Sequence, residues 1–242
     1  MKTLVIIPSR LSATRLPGKP LLKINGLSII SHVFKKAEEA NIGEVIVATG
    51  DQEIIDDVKK NGGQAILTNN QHQTGTDRIY EAIEKIDNSN IDLVMNLQGD
   101  EPFVNNAAIR DLINSFKDPD VQIASLMTKF LNLDEILNPN NFKVIVDNHH
   151  NAIYFSRLPI PFGSKKIDDF NRHVGIYAFT RDALIDFSKL KRSKLEIIES
   201  LEGIRIIENS KKIKIISTSF HGISIDTPED LIKAEKFNLS ND

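Results

Sequence analysis

Cysteine is absent from the 242 residues of this chain, so disulfides and thiolate metal sites are excluded. No apolar run approaches the roughly 20 residues that a membrane-spanning helix needs, and no membrane partner is expected. The opening Met1-Lys2-Thr3 leads straight into an apolar segment with no signal-peptide pattern, so a cytoplasmic location fits. Excess positive charge is also missing. The net charge is −3, which argues against a nucleic-acid partner, since such partners usually need a basic face. No Gly-x-Ser-x-Gly elbow supports a serine hydrolase. The six histidines fit no zinc pattern. Linkers, repeats and low-complexity stretches are lacking as well.

What is present is ordinary for a globular protein, with 40% hydrophobic and 26% charged residues. The length suits one large domain or two small ones. Up to residue 116 apolar strands alternate with amphipathic helices. Strands are expected at Leu4–Ile7, Glu44–Thr49, Gln64–Leu67 and Ile91–Leu97. Helices are expected at Ser28–Ala40, Gln52–Lys60, Asp77–Ile86 and Ala107–Phe116. That alternation implies parallel βαβ units with right-handed crossovers and a sheet covered on both faces. After residue 120 the rhythm changes. Strand candidates crowd together at Val121–Thr128, Phe142–Val146, Ala152–Phe155 and Val174–Phe179. The polar run Asp147-Asn148-His149-His150-Asn151 marks a hairpin. A helix at Leu195–Ile204, a strand at Ile213–Ser217 and a closing helix at Pro228–Phe237 complete the chain. The simplest reading is a single α/β domain, with a strand-rich mixed-sheet elaboration over about 121–205.

The richest local signal is Ile7-Pro8-Ser9-Arg10-Leu11-Ser12-Ala13-Thr14-Arg15-Leu16-Pro17-Gly18-Lys19-Pro20, a loop after the first strand. Backbone N–H groups and hydroxyls such as that of Ser12 can wrap phosphates there, while Arg10, Arg15 and Lys19 neutralise them. An acidic protein needs such a local positive field to bind a nucleoside triphosphate. The prolines stiffen the loop and lower the entropy lost on binding. The alternative is a solvated basic turn. A Walker A loop would need Gly at position 13 and Ser or Thr at position 20, where Ala13 and Pro20 stand. No Gly-x-Gly-x-x-Gly supports a dinucleotide site.

Two aspartates complement these cations. Asp100 follows the strand Ile91–Leu97, and ligands in open α/β sheets gather beyond the carboxyl ends of strands. Asp226 ends a strand-like segment before Pro228. Together they can hold a hard, oxygen-preferring cation such as Mg²⁺. Alternatively Asp100 is a turn residue, and Asp226 or Thr227 caps a helix. The run Thr74-Gly75-Thr76-Asp77-Arg78 reads as a helix start with Thr76 or Asp77 near the cap. Arg157, at a strand end, is placed to grip a carboxylate, or else is a surface charge. His173 and Tyr177 have the spacing of one strand face, where a lone histidine is usually a hydrogen-bonded structural residue.

Arg10 through Pro20 closely resembles the amino-terminal signature of the 3-deoxy-manno-octulosonate (Kdo) cytidylyltransferases, or CMP-Kdo synthetases. The resemblance continues in order through Thr74–Arg78, Asn96-Leu97-Gln98-Gly99-Asp100-Glu101-Pro102 and Tyr154-Phe155-Ser156-Arg157. It ends with Arg172-His173-Val174-Gly175-Ile176-Tyr177 and Ile225-Asp226-Thr227-Pro228-Glu229-Asp230-Leu231. The resemblance implies a three-layer α/β/α nucleotidyltransferase (Rossmann-like) fold with a mostly parallel mixed sheet. It implies transfer of CMP from CTP to the anomeric hydroxyl of Kdo, releasing pyrophosphate, for lipopolysaccharide biosynthesis. Mg²⁺ would sit on Asp100 and Asp226. Arg10, Ser12, Lys19, Thr74, Gly75, Thr76, Arg78 and Asp100 would hold the nucleotide, with Arg10, Arg15 and Lys19 serving catalysis. Gln98, Arg157, His173, Tyr177 and Glu202 would contact the sugar acid, and a homodimer is implied, its interface in the strand-rich part. Two departures bear on the sugar. Gly203 stands where many members have glutamine, and the segment from Gly163 to Asn171 is short. They leave open a related acidic sugar, amino-substituted or sialic-like, as acceptor. A catalytically silent nucleotide-binding module is the alternative of another class.

Overall fold

The computed structural model describes residues 1–12, 16–86, 90–164, 166–221, 225 and 227–239. The chain divides into two compact units, Met1–Arg110 with His221–Asp242, and Asp111–Phe220.

In the first unit, strand β1 (Thr3–Ser9) buries Leu4–Ile7 almost completely, as an interior parallel strand must. A small hairpin follows, β2 (Lys23–Ile24) and β3 (Leu27–Ser28). Its turn is Asn25-Gly26, both at positive φ, the turn whose twist suits a two-residue hairpin loop. Sequence reasoning did not pick this hairpin out. Helix α1 (Ile29–Glu39) is capped by the Ser28 hydroxyl, which accepts from Ser31 N. Then come β4 (Gly43–Thr49), α2 (Gln52–Lys60), β5 (Ala65–Leu67), α3 (Gly75–Lys85), β6 (Leu93–Asn96) and α4 (Asn106–Asn114). Strands β6, β1, β4 and β5 lie side by side in that order, all parallel. The expected βαβ alternation is therefore realised, and the carboxyl ends of β1, β4 and β6 share one edge.

The second unit holds β7 (Ile123–Lys129), α5 (Leu133–Leu137), β8 (Lys143–Val146), β9 (Ala152–Ser156), β10 (Asn171–Thr180), α6 (Arg181–Ser188), α7 (Lys194–Glu199), α8 (Gly203–Glu208) and β11 (Lys214–Ser217). Its sheet is mixed. β11 runs parallel to β7, while β7–β10, β10–β8 and β8–β9 are antiparallel. The predicted polar hairpin joins β8 to β9. Asp147 Oδ1 accepts from the backbone N–H groups of His149 and Asn151 at 2.8 Å each, and His150 takes positive φ.

One expected helix is corrected. Leu195–Ile204 is not continuous, because Ser200 turns left-handed and splits it into α7 and α8. The two pieces are clamped by a buried ion pair. Arg205 Nε and Nη2 donate to the two oxygens of Glu196 at 2.8 and 2.7 Å, and both side chains are 2% exposed or less. The Arg205 guanidinium also lies over the Phe187 ring, 4.6 Å from its centroid.

Helix α9 (Pro228–Leu239) returns the chain to the first unit. Thr227 accepts from Asp230 N at 3.2 Å and donates to its carboxylate at 2.9 Å, so the cap of this helix is Thr227. Ala234 of α9 joins Leu16, Ile24, Ile29 and Ile225 in a small apolar cluster beneath the first loop.

Candidate active site

The first loop leaves β1 at Ser9 and is fastened at three points. Leu11 N donates to Asp51 Oδ2 at 2.8 Å, and Gly18 N donates to Leu11 O at 3.3 Å. Leu16 is sunk into the apolar cluster just described. Gly18 has φ +69°, a conformation that costs glycine little and other residues more, and it opens the short 3₁₀ turn Lys19–Leu21. Arg10 and Ser12 are exposed at the loop's start. Arg15 lies outside the described residues.

Lys19 and Asp100 meet. Lys19 Nζ is 2.8 Å from Asp100 Oδ2, with side chains 14% and 26% exposed. The cation expected for phosphate and the carboxylate expected for metal thus stand together, beyond the carboxyl ends of the neighbouring strands β1 and β6. Asp226 lies outside the described residues. Its neighbour Ile225, however, donates its backbone N–H to Asp100 O at 3.1 Å, so the chain reaches Asp100 one residue before Asp226. Among the described residues no cluster of three or more metal-ligating side chains occurs. The candidate donors are all oxygens, which suits Mg²⁺, an ion usually held by one or two carboxylates with substrate phosphates. Gln98, half-buried, donates to Asn96 Oδ1 at 3.3 Å.

Helix α3 begins earlier than the expected Asp77. Thr74, not Thr76 or Asp77, caps α3 and accepts from Asp77 N at 3.2 Å. Thr76 is buried. Arg78 is only 3% exposed, and its Nη1 donates to Thr68 Oγ1 at 2.6 Å and to Asn69 O at 3.1 Å. Burial pushes its pKa down, against the pull of Asp51. Arg78 therefore holds the segment that approaches Thr74. Glu81 does the same from one turn further on, accepting from Asn69 N, His72 and Lys85. Burial alone would raise its pKa, but these hydrogen bonds hold it at about 2.

In the second unit, Arg157 follows β9. Its Nε donates to Glu199 O at 2.8 Å, its Nη1 to Pro139 O at 2.9 Å, and its Cζ lies 4.4 Å from the centroid of the Phe142 ring. Such a guanidinium is aimed before any ligand arrives. His173 and Tyr177 share a face of β10, their rings 5.4 Å apart, although the register shifts between Val174 and Tyr177. His173 Nε2 bonds Ser125 Oγ at 2.9 Å, and burial pushes its pKa down to about 3. Its ring is neutral at ordinary pH and offers hydrogen bonding rather than charge. Tyr177 is 7% exposed, and among the described residues its hydroxyl has no hydrogen-bond partner of normal geometry. Burial, and after it the nearby Glu202 carboxylate, raise its pKa well above the usual phenol value. Gly203 abuts that hydroxyl: a Cβ at position 203 would lie 2.4 Å from Tyr177 Oη.

Sequence reasoning missed Asp51, Glu199 and Lys143. Asp51 had a signal, since it follows β4 at the same sheet edge as Asp100. Glu199 and Lys143 had none, because both read as surface charges.

Known proteins bear on this arrangement. The sequence model of the family described as Cytidylyltransferase matches residues 4–213. A curated 3-deoxy-manno-octulosonate cytidylyltransferase of Fusobacterium nucleatum is 46% identical, over 96% of this chain and 94% of its own length. The chain belongs to the 3-deoxy-manno-octulosonate cytidylyltransferase family. Among solved structures, a CMP:2-keto-3-deoxy-manno-octonic acid synthetase complexed with CTP superimposes with TM-score 0.91 at 37% identity, covering 100% of both chains. A 4-diphosphocytidyl-2C-methyl-D-erythritol synthase from Anaerococcus prevotii superimposes with TM-score 0.67 at 15% identity over 98% of each chain, a likeness of fold alone. The α/β nucleotidyltransferase fold expected from the sequence, with its mixed, mostly parallel sheet, is borne out, and the chain is a cytidylyltransferase.

Proposed function

We propose that this cytidylyltransferase transfers CMP from CTP to the anomeric hydroxyl of 3-deoxy-D-manno-octulosonate. The products are CMP-Kdo, for lipopolysaccharide biosynthesis, and pyrophosphate. The observation that carries the reading is the Lys19–Asp100 pair at the carboxyl ends of β1 and β6, beside the loop that begins with Arg10. Both reactants are anions, so charge neutralisation governs the barrier. Arg10, Arg15 and Lys19 bind the triphosphate, and Lys19 stabilises charge that moves to the leaving pyrophosphate. Asp100 holds Lys19 in place beforehand, which removes a reorganisation cost. Thr74, Gly75 and Thr76 present the capped start of α3 to the nucleotide, and Arg78 with Glu81 fixes the segment leading into it. Magnesium, held by Asp100 and Asp226 with phosphate oxygens, would supply further charge neutralisation at the reacting phosphate.

In the second unit Arg157 grips the acid's carboxylate through Nη2, the guanidinium nitrogen that no backbone carbonyl among the described residues takes up. Gln98, His173, Tyr177 and Glu202 select the sugar by hydrogen bonds. The reading includes a cytoplasmic homodimer. Its support is the exposed apolar set Leu131, Leu133, Leu137, Leu158, Phe162 and Ile198 in the second unit, which sedimentation of the purified chain tests.

The deciding experiment is pyrophosphate release with CTP, UTP and ATP across a panel of sugar acids, with and without Mg²⁺. Release with CTP and Kdo in the presence of Mg²⁺ is expected. Release with a related ulosonic acid and not with Kdo would change the acceptor. CTP binding without release for any acid would leave only a nucleotide-binding module.

A further inference from the structure

Lys143 opens β8 and has no solvent exposure at all. No carboxylate among the described residues pairs with it. Its ammonium instead donates to three backbone carbonyls: Asn138 O at 3.0 Å, Asn141 O at 2.8 Å and Arg157 O at 2.8 Å. An ammonium has three protons, so its donor capacity is used up.

The choice of carbonyls is informative. Asn138 and Asn141 flank Pro139, whose carbonyl accepts from Arg157 Nη1. Phe142, the residue before Lys143, provides the ring against which the Arg157 guanidinium lies. The third carbonyl belongs to Arg157 itself. One buried ammonium thus fastens both the segment that cradles the guanidinium and the backbone that carries it. Glu199 closes the ring of contacts, accepting from Arg157 N at 2.9 Å through Oε2 and from Nε through its carbonyl. A methionine would fill the same space without burying a charge. It would, however, leave these three carbonyls without their donor, so the melting of each variant must be read beside its kinetics.

We propose that Lys143 is a positioning residue for the acceptor: it sets the aim of Arg157, and through it the binding of the sugar acid's carboxylate. The proposal rests on the reading of Arg157 given under the proposed function. A second consequence is pH dependence. Burial, and after it the Arg157 charge, lower the Lys143 pKa to about 8, against the pull of Glu199. These are the charged groups that face it. Above that pH a neutral amine has two protons for three carbonyls, and one tether of Arg157 is lost.

The test is steady-state kinetics of Lys143→Met, Lys143→Gln and Arg157→Ala, with thermal melting of each. Lys143→Met should raise KM for the sugar acid about tenfold, the scale of one lost charged hydrogen bond, and move KM for CTP less than about threefold. Lys143→Gln, which keeps two N–H donors, should fall between it and the parent. In the parent, KM for the acid should climb between pH 7.5 and 9.5, and this climb should vanish in Lys143→Met. An unchanged acid KM in Lys143→Met, or equal changes for acid and CTP, overturns the proposal. If neither Lys143 variant folds, the parent's profile decides, and a flat acid KM across that range overturns it. Arg157→Ala separates the two levels: if it leaves acid KM unchanged, the reading of Arg157 falls. If it raises acid KM and Lys143→Met does not, only the positioning role falls.

Discussion

Gly203→Ala is the smallest change that probes the surroundings of Tyr177. A Cβ there would sit 2.4 Å from Tyr177 Oη, 3.3 Å from Tyr177 Cζ and 3.4 Å from Phe155 Cε2. The first distance is about 1 Å short of ordinary contact. The Tyr177 ring cannot swing away freely, because it meets His173 at 5.4 Å and stacks on Phe179 at 6.1 Å. Overpacking of this kind costs about 1–3 kcal/mol. The backbone itself adds no strain, since Gly203 is not in the left-handed region. Helix propensity predicts the opposite sign, because alanine is the better helix former and Gly203 begins α8. Tyr177→Phe removes the offending oxygen and leaves contacts near the ordinary range. The same Gly203→Ala change made in that background should then cost little, with a coupling energy of about 1–2 kcal/mol. Denaturant unfolding of the four proteins in the cycle measures it. KM for the sugar acid should follow the same pattern if the displaced hydroxyl and Glu202 contact the acid as proposed. A neutral or stabilising Gly203→Ala, or an equal cost in both backgrounds, refutes the packing account.

Lys19→Ala should lower kcat by about 10²–10³, the usual scale for one preorganised charge-stabilising donor; near-normal turnover removes Lys19 from the chemistry. Arg78→Ala should lower the melting temperature by several degrees as well as weakening CTP, because one buried and one part-buried hydrogen bond are together worth about 1–3 kcal/mol. An unchanged melting point would make Arg78 a nucleotide contact only. His173 has its folded pKa near 3, against an unfolded value of about 6.5. Between those values the unfolded chain binds the extra proton, so stability falls as pH falls, by up to about 1.4 kcal/mol per pH unit. His173→Gln should flatten the dependence of unfolding free energy on pH between 6 and 4, and an identical slope would contradict the buried, neutral ring.

What the sequence made legible follows from where charge and apolar residues stand relative to strand ends. Leu4–Ile7 had to be an interior strand, so the cations after it had to lie at a sheet edge, and Asp100 after β6 had to lie at the same edge. Their 2.8 Å contact is the outcome of that geometry. The Asn25-Gly26 hairpin was legible in principle, but two-residue strands are too short to show a period. The break in the helix after residue 199 was not legible. Leu195 to Ile204 has helical spacing, and only the left-handed Ser200 and the Glu196–Arg205 clamp reveal two pieces.

Buried charge is where reading by composition fails, and here it carries much of the positioning. Lys143, Glu196, Arg205 and Arg78 all look like solvated side chains in the sequence, yet each is 3% exposed or less. A charge leaves water only if several hydrogen bonds replace the ones it gave up. Arg78 and Lys143 each mark a place where separate segments of the chain converge on one group. For Arg78 these are α3 and the 68–69 segment. For Lys143 they are the 138–141 turn and the end of β9. Each turn or strand end so fastened adjoins a residue assigned to substrate, Thr74 in one case and Arg157 in the other. The groups proposed to touch substrate are visible from their motifs, whereas the groups that would aim them become visible only once the chain is folded.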